Sequence, residues 1–165
     1  MMQSVLLDKV QHNLSRFDCG VAPLNNYLRL LAGQQARKDN SRTFVLEDRT
    51  QPAHIAGFYT LTMTPVDLAA MPATLQKKHQ TSTSAGLIAR LAVDQRYQGQ
   101  RLGEWLLVDA MQKLLQASDS VGFPLVVVDA KDGAGLFYQK YGFTSFADSP
   151  NKLFITIANI RASFT

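Results

Sequence analysis

The sequence predicts an α/β protein with a sheet of mixed strand direction, and three observations support this. A helical apolar pattern over residues 102–117 lies between two strand-like runs, 86–93 and 124–130. The second run, PLVVVDA, is rich in β-branched residues, which is typical of a strand buried on both faces. A crossover helix between two such strands implies the mixed sheet. The 165 residues, 46% of them hydrophobic, favour a single domain over residues 1–165.

One longer helix and two strands are predicted in the first half of the chain. The helix covers residues 21–39, where apolar side chains recur at helical spacing and a proline suits the first turn. Strands over 43–47 and 54–62 come after it, separated by a polar turn. A short helix over 65–71 and an exposed polar loop over 72–85 come next. The apolar face of the first helix consists of Leu24, Tyr27, Leu28 and Leu31.

The last part of the chain continues the alternation. A short helix is predicted over 133–140, and two closing strands over 142–146 and 153–157. The predicted order is therefore α, β, β, and then β-α-β-α-β-β.

Composition limits the cellular setting. The formal net charge is +4, which permits an anionic partner such as RNA or a phosphorylated cofactor without requiring one. Cys19 is the only cysteine, so an internal disulfide is excluded. The polar first residues lack a signal-peptide core, and no apolar run approaches about 18 residues. We therefore expect a cytoplasmic protein without a membrane segment.

The clearest chemical signal is LAVDQRYQGQRLG, residues 91–103. An apolar strand runs into a short polar loop that contains a glycine, and a long helix begins immediately afterwards. Free backbone N–H groups and the positive end of the helix dipole then meet at one point, which suits an anion such as phosphate. Ordinary strand-to-helix connections share this pattern, so the spacing alone leaves both interpretations open.

This segment, extended to ARLAVDQRYQGQRLG, and the later run FYQKYGF resemble the Gcn5-related N-acetyltransferase (GNAT) family. The acetyl-CoA loop of that family has the form Q/R-x-x-G-x-G/A. Gln98 fills its first position and Gly103 its last, whereas Arg101 replaces the middle glycine. The resemblance implies the GNAT fold, a mixed and twisted central sheet of about six or seven strands with helices on both faces.

A narrower resemblance involves FDCG, LNNYL, SRTFV, GFYTL and RLAVD, which look like segments of the acetyltransferase toxins of bacterial toxin–antitoxin pairs. Those toxins transfer acetyl from acetyl-CoA to the α-amino group of aminoacyl-tRNA and so block translation. The resemblance implies this reaction and a ribbon-helix-helix antitoxin as partner, and it leaves a homodimer open. Two alternatives remain: an acetyltransferase for small amines or proteins, and a degenerate member of the fold that only binds or regulates.

The resemblance also implies roles along the strand and the loop. Main-chain groups of Leu91, Ala92 and Val93 are expected to bind the pantetheine arm and to polarise the thioester carbonyl. At residue 101 a glycine would suit close approach or a positive φ, whereas an arginine could add a bond to phosphate. The residues expected to wrap the pyrophosphate are Gln98, Gly99, Gln100, Arg101, Leu102 and Gly103.

Tyr138 is the predicted acid catalyst. It occupies the tyrosine position of the family near the cofactor sulfur, where a phenol can protonate a leaving thiolate. The alternative role is packing beneath the pantetheine. Tyr141 lies three residues later and would share roughly the same face of a helix, but the Phe-Tyr pair distinguishes Tyr138 from it. No clear general base appears in the sequence. The amine of an aminoacyl ester has a lower pKa than a lysine side chain, so much of it is already neutral near pH 7 and water can take the proton.

The basic residues are dispersed, and most are expected to be solvated. Arg90, on the strand beside the cofactor, and Lys77 and Lys78, in the polar stretch, are predicted to hold tRNA phosphates. The single-stranded acceptor end of tRNA is gripped largely through its backbone, which favours such cations. The toxin resemblance, rather than the number of charges, supports this prediction.

Overall fold

The computed structural model describes residues 3–79, 82–131 and 133–165. Its strands are β1 Ser4–Leu6, β2 Arg42–Glu47, β3 Ile55–Asp67, β4 Ser82–Val93, β5 Leu125–Asp129, β6 Thr144–Phe146 and β7 Ser149–Thr156. Its α-helices are α1 Ala22–Asn26, α2 Ala32–Arg37, α3 Ala73–His79, α4 Leu102–Val121, α5 Gly135–Lys140 and α6 Ile157–Ser163. A π-helical turn, Tyr27–Leu31, joins α1 to α2, and 3-10 helices occur at Leu68–Ala70 and Gln95–Tyr97. Within the described ranges, no helix combines the length and apolarity needed to cross a membrane.

The strands form one sheet in the order β1-β2-β3-β4-β5-β7-β6. Strands β4 and β5 run parallel, with Ala85 opposite Leu125 and Ile88 opposite Val128. The pairs β1–β2, β2–β3, β5–β7 and β6–β7 are antiparallel. The prediction of an α/β protein with a mixed sheet is therefore confirmed, and the seven strands agree with the number that the family resemblance implies.

Contacts divide the chain into two compact units. The first comprises the described residues up to Thr62 together with Ala89–Ala110. The π-turn, helix α2 and strands β2, β3 and β4 contribute buried side chains to its core. The core includes Phe17, Tyr27, Leu28, Val45, Ile55, Phe58 and Ala92.

The second unit comprises Met63–Ile88 and Met111–Thr165. Its centre is β5, in which the four residues Leu125, Val126, Val127 and Val128 are all 0% exposed. The expectation of a strand buried on both faces is confirmed, because side chains on both sides of β5 are covered. The core around it includes Val66, Leu68, Met71, Ala85, Phe146 and Phe154.

The helix predicted over residues 21–39 is interrupted by the π-turn. The backbone N–H of Ala32 donates to the carbonyl of Tyr27, five residues earlier, so the turn contains one residue more than an α-helical turn. The extra residue rotates α2 about the helix axis, and Leu31 is 44% exposed while Ala32 is 0% exposed. The prediction that Leu31 lies on the apolar face is wrong, because it assumes 3.6 residues per turn throughout.

Two predictions for the middle of the chain are right only in part. Strand β3 continues to Asp67 and a 3-10 helix comes after it, where the pattern predicts a short helix over 65–71. Much of the expected loop over 72–85 is helix α3 and the start of β4. Helix α3 forms because Leu75 packs against the core of the second unit, a tertiary contact that the polar local sequence does not reveal. Residues 80 and 81 of the expected loop lie outside the described residues.

Candidate functional site

The strand–loop–helix segment forms as the sequence predicts. Strand β4 ends at Val93, a 3-10 turn comes next, and α4 begins at Leu102. Leu91 and Val93 are half-buried, Ala92 is buried, and residues 98–101 are exposed. The first backbone N–H groups of α4 have no intrahelical carbonyl to bind, so this end of the helix offers hydrogen-bond donors and a positive dipole to an anion.

Arg101 adopts a backbone conformation that favours glycine. Its φ is +61°, a left-handed value that costs a residue with a Cβ roughly 1–2 kcal/mol. Gly99 has a φ of +84°, and no atom lies within 4 Å of the position of an added Cβ, so backbone conformation alone favours glycine there. The Arg101 side chain is 77% exposed, and its Nε lies 3.2 Å from Oε2 of Glu104. The loop thus follows a glycine-type path, and the arginine side chain extends into solvent.

A buried carboxylate holds the start of this loop. Asp94 is 1% exposed, and its side chain accepts hydrogen bonds from the backbone N–H groups of Asp18 at 3.0 Å and Arg96 at 2.8 Å. The Arg96 guanidinium adds an ion pair at 2.8 Å. Burial opposes ionisation of Asp94, but these hydrogen bonds outweigh it and keep the pKa of the carboxyl below its ordinary value. We call Asp94, Asp18 and Arg96 the Asp94 hub.

The Asp94 hub connects the loop to the segment that precedes α1. The backbone N–H of Gln95 donates to the carbonyl of Asp18 at 2.8 Å. The Asp18 carboxylate accepts from the backbone N–H of Gly20 and from the side-chain amide of Asn25. The FDCG segment therefore serves in this structure to dock the start of the first helix against residues 94–96.

A cavity of about 220 Å³ adjoins the loop. Beside it the Tyr97 hydroxyl donates a hydrogen bond to Asp48, and this bond holds the pKa of that carboxyl well below its usual range. The cavity is smaller than the roughly 300–1,000 Å³ typical of small-molecule sites, so it does not hold a whole coenzyme. Its lining consists of Leu46, Glu47, Asp48, Arg49, Ala56, Tyr97, Gln100 and Leu102.

Tyr138 lies on α5 in the second unit and is 8% exposed. Its ring packs edge-on against Phe137 and Phe143, with centroid distances of 5.1 Å and 5.7 Å. We call these three residues the aromatic cluster. Burial raises the pKa of the Tyr138 hydroxyl to about 12. The phenol is therefore protonated at neutral pH and available as a hydrogen-bond donor.

Tyr141 differs from Tyr138 in its surroundings. It is half-buried at the end of α5, with its ring 5.5 Å from that of Phe137 and 5.9 Å from the Lys140 ammonium. Its backbone N–H donates to the Tyr138 carbonyl at 3.0 Å. The deeper burial of Tyr138 makes it the better candidate for a proton donor shielded from water.

The residues predicted to hold tRNA phosphates lie on two elements. Arg90 is a half-buried residue of β4, and its guanidinium carbon lies 3.9 Å from the centre of the Tyr27 ring. Lys77 and Lys78 are exposed and occupy the last turn of α3, whereas the sequence pattern places them in a loop. The sequence indicated Tyr27 only as an apolar helix residue, and no local pattern signalled its contact with Arg90.

Comparison with known domains shows the class of protein. The acetyltransferase (GNAT) domain matches residues 39–145, more than half of the chain, and the match includes both the loop and Tyr138. The chain therefore belongs to the GNAT acetyltransferases.

Individual relatives narrow this class. A tRNA-acetylating toxin of Mycobacterium tuberculosis is 32% identical over 151 residues, which cover 91% of this chain and 89% of the relative. The structure of AtaT complexed with acetyl-methionyl-tRNAfMet matches with a TM-score of 0.90 at 30% identity and covers 100% of both chains. A tyrosine-to-phenylalanine variant of AtaT, bound to the C-terminus of the antitoxin AtaR and to acetyl-CoA, matches with a TM-score of 0.85 at 28% identity, covering 99% of this chain and 98% of that one.

Proposed function

We propose that this protein is an acetyl-CoA-dependent N-acetyltransferase that acetylates the α-amino group of aminoacyl-tRNA and so blocks translation as a toxin. The observation that carries the proposal is the similarity to AtaT in complex with acetyl-methionyl-tRNA, with a TM-score of 0.90 over 100% of both chains. A GNAT scaffold alone would leave the acceptor open, because one fold hosts many functions. The similarity extends beyond the matched domain, and we propose that residues 1–165 act as one acetyltransferase domain.

Acetyl-CoA is the proposed co-substrate. Main-chain groups of Leu91, Ala92 and Val93 bind the pantetheine arm, and the loop of residues 98–103 binds the pyrophosphate through backbone N–H groups. The positive φ of Arg101 supports this assignment, because the loop keeps a glycine-type path despite the substitution. The acetyl-CoA bound by the AtaT variant supports the same class of ligand.

Tyr138 is the proposed proton donor. The amine nitrogen attacks the thioester carbonyl carbon, the C–S bond breaks, the nitrogen loses a proton to water, and the sulfur gains one from the phenol. With a pKa of about 12, the phenol is protonated before each turnover. Because it is a weaker acid than a thiol, it first hydrogen-bonds to the developing thiolate, and solvent then restores the donated proton. Because the amine of an aminoacyl ester has a lower pKa than a lysine side chain, much of it is already neutral near pH 7, and water can take the proton without a side-chain base.

The proposed acceptor contacts are electrostatic. Arg90, Lys77 and Lys78 bind phosphates of the tRNA, which makes the affinity for charged tRNA decrease as the salt concentration increases. The complex of the AtaT variant with AtaR supports an antitoxin as a further partner. We propose a ribbon-helix-helix antitoxin, a homodimeric toxin, and action in the cytoplasm, where charged tRNA is present.

Incubation with charged total tRNA and radiolabelled acetyl-CoA tests this function. Label that remains on tRNA and is released with the amino acid by mild alkali would support it, and a Tyr138→Phe preparation provides the matched low-activity control. Label found only in peptide or polyamine pools would instead indicate a small-amine or protein acetyltransferase. Failure of calorimetry to detect acetyl-CoA binding at millimolar concentration would indicate a binding module without catalysis.

A further inference from the structure

Tyr27 is the first residue of the π-turn and belongs to the core of the first unit. In a regular helix the Tyr27 carbonyl would accept from Leu31, but here it accepts from Ala32. Tyr27 and Leu28 are buried, at 5% and 0% exposure, and the π-turn changes the helix face of the residues that come after them. Such π-turns are rare and occur frequently at functional sites.

The guanidinium of Arg90 stacks on the Tyr27 ring. The 3.9 Å between the guanidinium carbon and the ring centroid is a close stacking distance. Other cation–aromatic contacts among the described residues are longer, with 5.9 Å from the Arg96 guanidinium carbon to the Tyr97 ring centroid and 5.0 Å from the Lys152 ammonium to the Phe146 ring centroid. Because Tyr27 is buried and Arg90 is half-buried, the ring covers one face of the guanidinium and restricts its orientation.

This arrangement fixes Arg90 without neutralising it. Arg96, Arg101 and Arg161 each pair with a carboxylate. Among the residues that the structure describes, no carboxylate pairs with Arg90. An aromatic face attracts a cation but accepts none of its N–H groups in the guanidinium plane. Arg90 therefore keeps its full charge and its in-plane donors for an external anion.

We propose that Tyr27 is a positioning residue that holds Arg90 in a preoriented, un-neutralised state for a backbone phosphate of the tRNA acceptor end. The inference rests on the proposed function, which supplies the anionic acceptor. It goes beyond that function because it assigns part of the affinity for tRNA to the ring of Tyr27, in addition to the charge of Arg90. Tyr27 itself contacts neither the reacting atoms nor the cofactor in this assignment.

The test compares Tyr27→Leu with Tyr27→Phe and with Phe17→Leu. Phe17 is a buried aromatic of the same core, whose ring packs edge-on against Phe58, so Phe17→Leu is the matched control for loss of a core ring. For each variant kcat and the KM values for charged total tRNA and for acetyl-CoA are measured, together with the thermal midpoint. Tyr27→Met serves as the second ring deletion if Tyr27→Leu does not fold.

We expect Tyr27→Leu to raise the KM for charged tRNA about 2- to 30-fold, the range of a cation–π contact, and to leave the KM for acetyl-CoA unchanged. Tyr27→Phe keeps the ring, so its KM for charged tRNA should equal that of wild type. Phe17→Leu should lower the thermal midpoint without raising the KM for charged tRNA. In an Arg90→Gln background, Tyr27→Leu should add no further increase.

Two results would overturn the role of Tyr27 and leave the proposed function intact. One is an unchanged KM for charged tRNA in Tyr27→Leu, and the other is an equal increase of this KM in Phe17→Leu. Tyr27→Phe as damaging as Tyr27→Leu would also contradict it, because the hydroxyl rather than the ring would then matter. Wild-type protein that labels free amines and leaves charged tRNA unlabelled would overturn the proposed function, and this inference with it.

Discussion

The Asp94 hub and the aromatic cluster hold their functional segments by different physical means. In the first unit, Asp94 at 1% exposure fixes the residues before the loop through charge-assisted hydrogen bonds from Asp18 and Arg96. In the second unit, Tyr138 at 8% exposure is fixed by the rings of Phe137 and Phe143. Both side chains are buried, and burial disfavours the charged form of each. Several hydrogen-bond donors offset this cost for the Asp94 carboxylate, so its pKa is lowered, whereas the pKa of Tyr138 is raised.

The comparison shows that the first unit stabilises the charged form of the Asp94 carboxyl, whereas the second unit stabilises the neutral form of the Tyr138 phenol. Charge-assisted hydrogen bonds are directional, and they depend on the protonation state of the carboxylate. Aromatic packing depends on shape and is indifferent to pH over the range in which the phenol is neutral. We therefore expect substitutions in the Asp94 hub to affect stability and its pH dependence, and removal of the Tyr138 hydroxyl to affect turnover alone.

The largest expected effect is on turnover. Tyr138→Phe removes the hydroxyl and keeps the ring, so the aromatic cluster retains its packing. If the phenol donates to the leaving sulfur, kcat should fall by roughly 10²-fold or more, the usual contribution of a positioned acid. The affinity for acetyl-CoA from calorimetry and the thermal midpoint should change little.

Tyr141→Phe is the control for this prediction, because Tyr141 is the residue directly after α5 and its ring also packs against Phe137. Its kcat should remain close to that of wild type. Equal losses in the two variants would indicate a packing role for both tyrosines. Full activity of Tyr138→Phe would leave solvent as the proton donor.

The second prediction concerns Asp94→Asn, which keeps the shape of the hub and removes its charge. We expect a loss of about 1.5–3 kcal/mol in the free energy of unfolding at neutral pH, the range for hydrogen bonds to charged groups. Because the pKa of Asp94 is lowered in the folded state, its stabilisation is fully present above the ordinary value of about 3.9 and is lost as the pH falls below it. Denaturant unfolding of both proteins from pH 7 down to pH 3 measures the difference.

The difference between wild type and Asp94→Asn should begin to shrink below about pH 4, because the carboxyl of the unfolded chain then binds a proton that the folded one, with its lowered pKa, does not. A difference that stays constant with pH would show that the side-chain shape, and not the charge, holds the loop. The same pH series on Tyr138→Phe should show no pH-dependent difference from wild type.

Arg101→Gly tests the strain in the loop that the Asp94 hub precedes. The backbone at residue 101 already has a φ of +61°, so glycine removes the left-handed penalty but adds freedom to the unfolded chain. The exposed pair with Glu104 contributes little. We expect a net gain of about 0.5–1 kcal/mol, read as a rise in the thermal midpoint of about 1–4 °C.

The affinity of Arg101→Gly for acetyl-CoA should stay within about threefold of wild type. The backbone N–H groups keep their positions, and the substitution removes only a guanidinium that extends into solvent. A loss of tenfold or more in calorimetry would make Arg101 a phosphate ligand. A gain of tenfold or more would make it a defect of the loop.

Much of this molecule could be predicted from its sequence where local pattern and structure agree. The run PLVVVDA predicted β5, the apolar stripe beginning at residue 102 predicted α4, and the family motifs indicated the loop and Tyr138. Strand β1 was missed because three residues carry no periodicity, and its place depends on pairing with β2. Helix α6 was missed although Thr156 caps it by accepting from the Asn159 N–H, a signal that the sequence does contain.

The parts of the site that escaped prediction all depend on residues far apart in the chain. Asp94 and Asp18 are 76 positions apart, and the contact between Tyr27 and Arg90 joins a helix to a distant strand. Local periodicity contains no information on such pairs. It also cannot register a single inserted residue, and the π-turn at Tyr27–Leu31 is therefore invisible to a pattern that assumes a regular helix.

The smallest expected effect is a change in stability, and it tests which residues form the apolar face of the helical segment in the first unit. It also tests whether apolar packing holds this segment, in contrast to the charged contacts that hold the loop. A regular helix would bury Leu31, but the π-turn leaves it 44% exposed and buries Ala32 at 0% exposure. Leu31→Gln should therefore change the free energy of unfolding by no more than about 0.5 kcal/mol. Ala32→Gln forces a larger polar side chain into the core and should cost about 1–3 kcal/mol. Denaturant unfolding of the two variants decides between the alternatives, because a regular helix would reverse their order.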